Sequence, residues 1–278
     1  MTNQGILSGI KAVAFDLDGV IYTGGTMLPS ADIVMRKLEQ SETGIFFITN
    51  NSTKTRKEIA HKLHSLGIDC SYRNVYSSAY IAGRFLRALE KDDIPVVHVI
   101  GSEGLISELK DLGVRIATLE SDAQILLVGF DMLFNYQTIV KGFRSLLKGS
   151  KFFACNLETR FPVENEQWMP GCAAMVAAIE AVSAKAPDYI IGKPNTYMLE
   201  LLAREHNLKP EQILVIGDTL ETDILMANRF GSPSVLFSSF PQQVSRLPIR
   251  GPEFQPTFSV NHHNQLLALL ENSGVNIV

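Results

Sequence analysis

Short uninterrupted apolar runs alternate along the chain with longer stretches in which apolar positions recur every three or four residues. The first class comprises Lys11–Phe15, Ile45–Ile48, Val96–Ile100, Ile125–Gly129, Lys151–Ala154, Tyr189–Ile191, Ile213–Gly217 and Ser234–Phe237. These runs are continuous and β-branched rather than alternating, the pattern of strands covered on both faces. The second class comprises Ser30–Gln40, Thr55–Leu66, Ser77–Lys91, Ser102–Leu112, Asn135–Leu147, Gly171–Val182, Thr196–His206 and Thr222–Phe230. These read as amphipathic helices, and several stop at glycine, as at Leu66-Gly67, Leu112-Gly113 and Phe230-Gly231. Strand–helix alternation over the whole length predicts an α/β chain built on parallel sheets.

Composition narrows this picture only a little. The chain has 278 residues, 46% hydrophobic and 19% charged, which excludes wholesale disorder and leaves room for one large domain or two ordinary ones. A net charge of −4 lacks the basic footprint of a general nucleic-acid binder. The most apolar helical run, Cys172–Ile179, stops at Glu180, well short of the roughly 18 apolar residues of a membrane span. Met1–Gly9 lacks the basic and apolar regions of a secretion signal. Cys70, Cys155 and Cys172 are odd in number, far apart and form no CxxC pair, so reduced core thiols are expected. The expectation is a cytoplasmic protein with no nucleic-acid or membrane partner.

The chemistry lies where apolar runs end. In Val13-Ala14-Phe15-Asp16-Leu17-Asp18-Gly19-Val20 a strand runs straight into two carboxylates two residues apart. Side chains at that spacing on a strand share a side, and ligands of parallel sheets bind beyond the carboxyl ends of the strands. Close carboxylates repel unless a cation compensates, and Mg²⁺ is the hard ion that takes oxygen ligands together with substrate phosphate. Ionised Asp16 is suited to attack phosphorus, and Asp18 to protonate the leaving oxygen and then activate water. Gly19 lets the chain turn. Ile45–Ile48 ends in Thr49-Asn50-Asn51-Ser52-Thr53, which taken alone reads first as a helix cap, while its hydroxyls and backbone N–H groups also suit a phosphate. Lys193, after a short strand and before Pro194, is a counter-charge candidate. Ile213–Gly217 ends in Asp218, a further metal ligand, and Asp223 follows either as a helix cap or as a support for the ligands.

Together these motifs resemble the signature of the haloacid-dehalogenase superfamily: Asp16-Leu17-Asp18-Gly19-Val20, Thr49-Asn50-Asn51-Ser52, Lys193 in Gly192-Lys193-Pro194, and Gly217-Asp218 with Asp223. More narrowly the chain is similar to the NagD-like (class IIA) subfamily, which includes p-nitrophenyl-phosphatase and phosphoglycolate-phosphatase relatives. Thr49 follows Asp16 by 33 residues and Lys193 follows Thr49 by 144. The resemblance implies a doubly wound (Rossmannoid) core, residues 1–80 and 185–278, with an α/β cap inserted at 81–184. It implies an Mg²⁺-dependent phosphatase of small phosphomonoesters acting through an aspartyl-phosphate. Asp16 would be nucleophile and metal ligand, and Asp18 the acid/base, adding its backbone carbonyl to the metal. Thr49, Lys193 and the Asn50 backbone would hold the phosphoryl group. Asp218 would bind the metal, with Asp223 and Gly19 supporting.

The cap departs from that pattern. Asn156-Leu157-Glu158-Thr159-Arg160 stands where relatives carry Asn-Pro-Asp, and Asn156, Glu158 and Arg160 are the expected substrate contacts. Arg160 suits a second anionic group. Trp168 is a pocket or cap-core residue. His61, His64, His262 and His263 show no catalytic spacing. A homodimer through the cap stays open, as does the choice among sugar phosphate, nucleoside monophosphate, phosphoglycolate and p-nitrophenyl phosphate. Asp18 argues against a dehalogenase or phosphonatase on the same fold. A silent metabolite-binding protein is the remaining alternative, against which the four intact motifs stand.

Overall fold

A computed structural model describes residues 7–89, 94–119, 122–163, 167–238 and 251–272 of the chain. Two compact units emerge: Met1–Thr49 with Ala60–Tyr76 and Met198–Val278, and Asn50–Ile59 with Ser77–Tyr197.

The first unit is organised by a six-stranded sheet in the order Phe258–Val260, Ser234–Phe237, Ile213–Gly217, Ala12–Phe15, Gly44–Thr49, Val75–Ser77. Ala12 pairs with Ile213 on one side and with Gly44 on the other, both in parallel. The chain therefore starts in the middle and winds outward in both directions, so the order reverses between Ala12–Phe15 and Ile213–Gly217. That reversal is the switch point at which the carboxyl ends of neighbouring strands open a crevice. Every residue of Ala12–Phe15, Ile213–Gly217 and Ser234–Phe237 is buried, which is why these strands carry no polar alternation.

The second unit holds a five-stranded parallel sheet in the order Tyr189–Ile190, Lys151–Ala154, Ile125–Val128, Val96–Ile100, Arg115–Ile116. Ile100, Leu126, Val128, Phe152 and Ala154 pack against Cys172, Met175, Val176 and Ile179 of the Cys172–Ser183 helix, the most apolar helix of the sequence. Asn135 and Thr138 form a reciprocal cap on the Tyr136–Leu147 helix. All three cysteines are free and buried.

All eight expected strands and the expected helices are present, the end of Ser77–Lys91 lying outside the described residues. The sequence does not announce the hairpin Tyr22–Thr23/Thr26–Met27, the pair Arg160–Pro162/Trp168–Pro170, or the strands Val75–Ser77, Arg115–Ile116 and Phe258–Val260. Two or three residues are too few to display a period. Thr222–Phe230 needs correction: a π-helical turn, Leu220–Ile224, precedes a short α-helix, Leu225–Phe230.

The helix His263–Glu271 is likewise absent from the sequence pattern. His262 caps it, its Nδ1 accepting from the Gln265 amide. His263 is buried, with its ring 4.5 Å from that of Phe237 and hydrogen-bonded to the backbone of Val20 and Pro29. Its Nε2 has no partner among the described residues. Burial holds its pKa below the ordinary histidine value of about 6.5. The unfolded chain thus takes up this proton first as pH falls. The stability contribution is complete above about pH 6.5 and declines below it, toward the folded-state value. Urea unfolding of wild type and His263→Phe between pH 7.5 and 5.5 should show a shallower loss of stability in the variant.

Candidate active site

Asp16 continues the central strand by one step, its N–H donating to the Ile216 carbonyl at 2.8 Å. The chain then closes a tight turn. The Leu17 carbonyl accepts from Val20, Ile21 and Tyr22, and the Gly19 N–H donates to the Tyr22 carbonyl at 2.9 Å. Gly19 has a φ of +85°, and a Cβ there would lie 2.2 Å from Asp218 Oδ2. Glycine is required twice over, for the left-handed backbone and for the approach of a neighbouring strand's carboxylate.

That neighbour is Ile213–Gly217, which delivers Asp218. A Cβ on Gly217 would lie 2.2 Å from both Cβ and Cγ of Asp223. The absent side chain lets the π-helical turn fold back over the strand end. Asp223 is buried there, its Oδ2 accepting from the Thr219 N–H at 3.2 Å and the Thr222 hydroxyl at 3.4 Å. The Thr219 hydroxyl donates to Asp218 Oδ1 at 2.8 Å.

The result is a trio: carboxylate oxygens of Asp16, Asp218 and Asp223 all lie within 4.8 Å of one another. Three like charges at that spacing demand a compensating cation, and an all-oxygen donor set selects a hard one such as Mg²⁺. Asp223, weighed in the sequence between helix cap and support, therefore joins the carboxylate group itself. Asp18 does not belong to this trio. Its backbone pairs with that of Tyr22 in a single β-bridge. Tyr22 is buried and its phenol is held protonated, first by burial and then by the charges of Asp18 and Asp16. Lys62 Nζ lies 3.3 Å from the centre of the Tyr22 ring. Tyr22 and Thr219 escape a reading of the sequence because burial and a local hydroxyl bond carry no motif, and Gly217, though part of the Gly217-Asp218 motif, gives no sign there of the clearance it provides for Asp223. Thr49 is buried at the end of Gly44–Thr49.

In the second unit, Lys193 is only 2% exposed, which sets it apart from an ordinary loop lysine. The Asn50 side chain meets its peptide on both sides. Lys193 N–H donates to Asn50 Oδ1 at 2.9 Å, and Asn50 Nδ2 donates to the Lys193 carbonyl at 3.2 Å. The Asn50 carbonyl accepts from the Ser78 hydroxyl and from Asn156 Nδ2, each at 2.8 Å. Asn51 caps the following segment through Thr53 and Lys54, as a Ser/Thr/Asn run does.

Of the expected cap contacts, Asn156 is buried, and its Oδ1 also accepts from the Glu158 N–H at 3.0 Å. Its amide supports the chain itself. Glu158 is half-buried and its carbonyl accepts from the Ala173 N–H. Arg160 is exposed, its guanidinium 4.8 Å from the centre of the Trp168 ring, so Trp168 serves as a stacking face for it.

Two family models match the chain: haloacid dehalogenase-like hydrolase over residues 13–115 and HAD-hydrolase-like over residues 190–265. Glycerol-3-phosphate phosphatase of Homo sapiens is 32% identical over 258 residues, covering 84% of this chain and 80% of that protein. Chloroplastic phosphoglycolate phosphatase 1A of Arabidopsis thaliana is 28% identical over 283 residues, covering 95% of this chain and 78% of that protein. Among solved structures, glycerol phosphate phosphatase of Mycobacterium tuberculosis in complex with magnesium superposes with a TM-score of 0.82. It is 25% identical and covers 94% of this chain and 77% of that one.

The glycine clearances give a direct test. A methyl group forced against Asp218 or Asp223 should shift a carboxylate at a cost of about 1–3 kcal/mol. Gly19→Ala and Gly217→Ala should therefore bind Mg²⁺ about tenfold or more weakly in calorimetric titration. Wild-type affinity in both would show that the trio does not hold the ion.

Proposed function

Because this chain belongs to the haloacid dehalogenase-like hydrolases, and within them to the NagD-like phosphatases, we propose that its strand ends carry out phosphomonoester hydrolysis in the following way. The protein is a phosphatase of small phosphorylated molecules, with Mg²⁺ as cofactor. The observation that carries the residue assignment is the trio of Asp16, Asp218 and Asp223 at the switch point of the parallel sheet. The reading takes residues 1–80 and 185–278 as catalytic core and 81–184 as cap, while the Tyr189–Ile190 strand and Lys193 belong to the second compact unit.

Asp16 attacks phosphorus. A bond from its carboxylate oxygen to phosphorus forms as the bond to the ester oxygen breaks, and Asp18 gives that leaving oxygen a proton. Asp18 then takes a proton from water, the water oxygen bonds to phosphorus, and the Asp16–phosphorus bond breaks to release inorganic phosphate. Asp16 and Asp218, with the Asp18 backbone carbonyl, would hold Mg²⁺, and Asp223 would stand against them. When bound, the ion supplies positive charge that offsets the carboxylates and the phosphoryl oxygens. Thr49, the Asn50 backbone N–H and Lys193 would hold those oxygens, where fixed donors matter most because transition-state charge is spread over them.

The substrate class follows the relatives: glycerol phosphate and phosphoglycolate are small, and the second carries another anion. Arg160, stacked on Trp168 and exposed, suits such a group, with Glu158 nearby in sequence as a second contact. No helix among the described residues is long and apolar enough to cross a membrane. A cytoplasmic location is part of this reading, supported by three free buried cysteines. So is a homodimer through the cap, supported by Met132, Leu133 and Tyr136, which are 70%, 81% and 75% exposed within five residues.

Phosphate release should be measured from glycerol phosphate, phosphoglycolate, nucleoside monophosphates, sugar phosphates and p-nitrophenyl phosphate, with Mg²⁺ and with a chelator. Turnover should require Mg²⁺, and Asp16→Asn should lower kcat by about 10⁴-fold or more while the fold persists. Wild-type turnover in that variant would remove Asp16 as nucleophile. Sedimentation of Leu133→Asp should report monomers where wild type reports dimers.

A further inference from the structure

We infer that Asn50, Ser78 and Asn156 form a buried relay that positions Lys193, so that Asn156 acts on phosphoryl binding through Asn50 rather than by touching the leaving group. This rests on the phosphatase reading for the role of Lys193, and it gives Ser78, Asn156 and the Asn50 side chain a task that the reaction scheme leaves unassigned.

The relay begins in a sheet. The Tyr189–Ile190 strand pairs in parallel with Lys151–Ala154, and the ladder runs on past both strands. Ile191 N–H donates to the Ala154 carbonyl at 2.9 Å and Gly192 N–H to the Cys155 carbonyl at 2.8 Å. The next residues along the two chains are Asn156 and Lys193. The ladder therefore brings them out side by side although 37 residues of sequence separate them.

Asn50 enters where the ladder stops. Its amide matches both polar groups of the Lys193 peptide, and this fixes its orientation. Only Oδ1 can face an N–H and only Nδ2 can face a carbonyl. The fit is close enough to exclude any side chain at residue 192, since a Cβ there would lie 2.4 Å from Asn50 Oδ1 and 2.6 Å from the Cys155 carbonyl. Asn50 is in turn held at its own carbonyl by two donors, Ser78 Oγ and Asn156 Nδ2, each at 2.8 Å. Asn50, Ser78, Asn156 and Lys193 are all buried, with Ser78 fully so. Polar groups removed from water need their partners, and removing one leaves the others unsatisfied. The relay thus ties the lysine's backbone to two further elements, the start of the Ser78–Leu89 helix and the end of the Lys151–Ala154 strand. A long side chain delivers its charge to a fixed point only if its backbone is fixed.

The test is a double-mutant cycle read in inorganic phosphate affinity in the presence of Mg²⁺. Asn156→Ala should weaken phosphate about tenfold, as befits one lost buried hydrogen bond. It should lower kcat/KM by a similar factor for glycerol phosphate, phosphoglycolate and p-nitrophenyl phosphate alike. In a Lys193→Ala background the same substitution should change phosphate affinity less than about twofold, because the residues act as one unit. Equal effects in the two backgrounds would overturn the relay. So would an Asn156→Ala defect confined to one substrate with phosphate affinity intact, which would return Asn156 to leaving-group contact. Ser78→Ala, which leaves the Asn156 bond in place, carries the same cycle if Asn156→Ala does not fold.

A second readout needs no phosphate. The Lys193 amide should lose hydrogen-exchange protection in Asn156→Ala and in Ser78→Ala, and unchanged protection in both would also overturn the inference. A wild type that binds phosphate yet hydrolyses no ester would refute the phosphatase reading alone, with the relay still decided by affinity and exchange.

Discussion

Three carboxylates held within 4.8 Å of one another repel, and this repulsion is the constraint around which the first unit is arranged. Strands buried on both faces fix where Asp16 and Asp218 emerge. Two glycines remove the atoms that would keep Asp218 and Asp223 apart from their neighbours. Thr219 and Thr222 supply donors to the resulting negative charge, but hydroxyls and one amide do not neutralise three carboxylates. The backbone therefore holds in place a charge that only a cation can complete. The same arrangement favours a small, hard, doubly charged ion over a lysine, whose ammonium group arrives on a stem that must itself be packed.

Sequence and structure agree best where one physical signal decides the outcome. The eight long strands are legible because burial on both faces leaves uninterrupted apolar runs. The convergence of Asp16 and Asp218 is legible because acid placed directly after such a run contributes nothing to packing and so stands out. The position of Asp223 is not, since a π-helical turn differs from an α-helix by one residue per turn and has the same composition. Lys193 stands in the sequence as a counter-charge candidate, but nothing there shows that it is buried. Asn156 reads as a cap residue facing substrate, because nothing in a linear sequence says that a parallel ladder will run on through Cys155 and turn its amide toward Asn50. His263, beside His262, gives no sign in sequence that Phe237 and the backbone of Val20 will enclose it.

The two kinds of site residue also differ in what variation they tolerate. Gly19 with Asp218, and Gly217 with Asp223, are bound by hard geometry, a carboxylate against a backbone with no room for a methyl group. Arg160 lies on a short two-stranded ribbon and rests on Trp168, an exposed contact that another cation and another aromatic ring could reproduce. Chemistry held by clearance and recognition held by surface stacking can change at different rates.

The central strand carries a consequence for how the chain is made. Ala12–Phe15 lies between Gly44–Thr49, which is synthesised soon after it, and Ile213–Gly217, which follows about 200 residues later. During synthesis the central strand has a neighbour on one edge and an open edge on the other for most of the time the ribosome is at work. Such an edge is a template for pairing with another chain. The whole five-stranded sheet of the second unit is translated within that interval, so it can fold and shorten the loop that must close before Ile213–Gly217 docks. A nascent chain therefore gains its three-carboxylate centre only once Ile213–Gly217 and the turn after it have been made, long after Asp16.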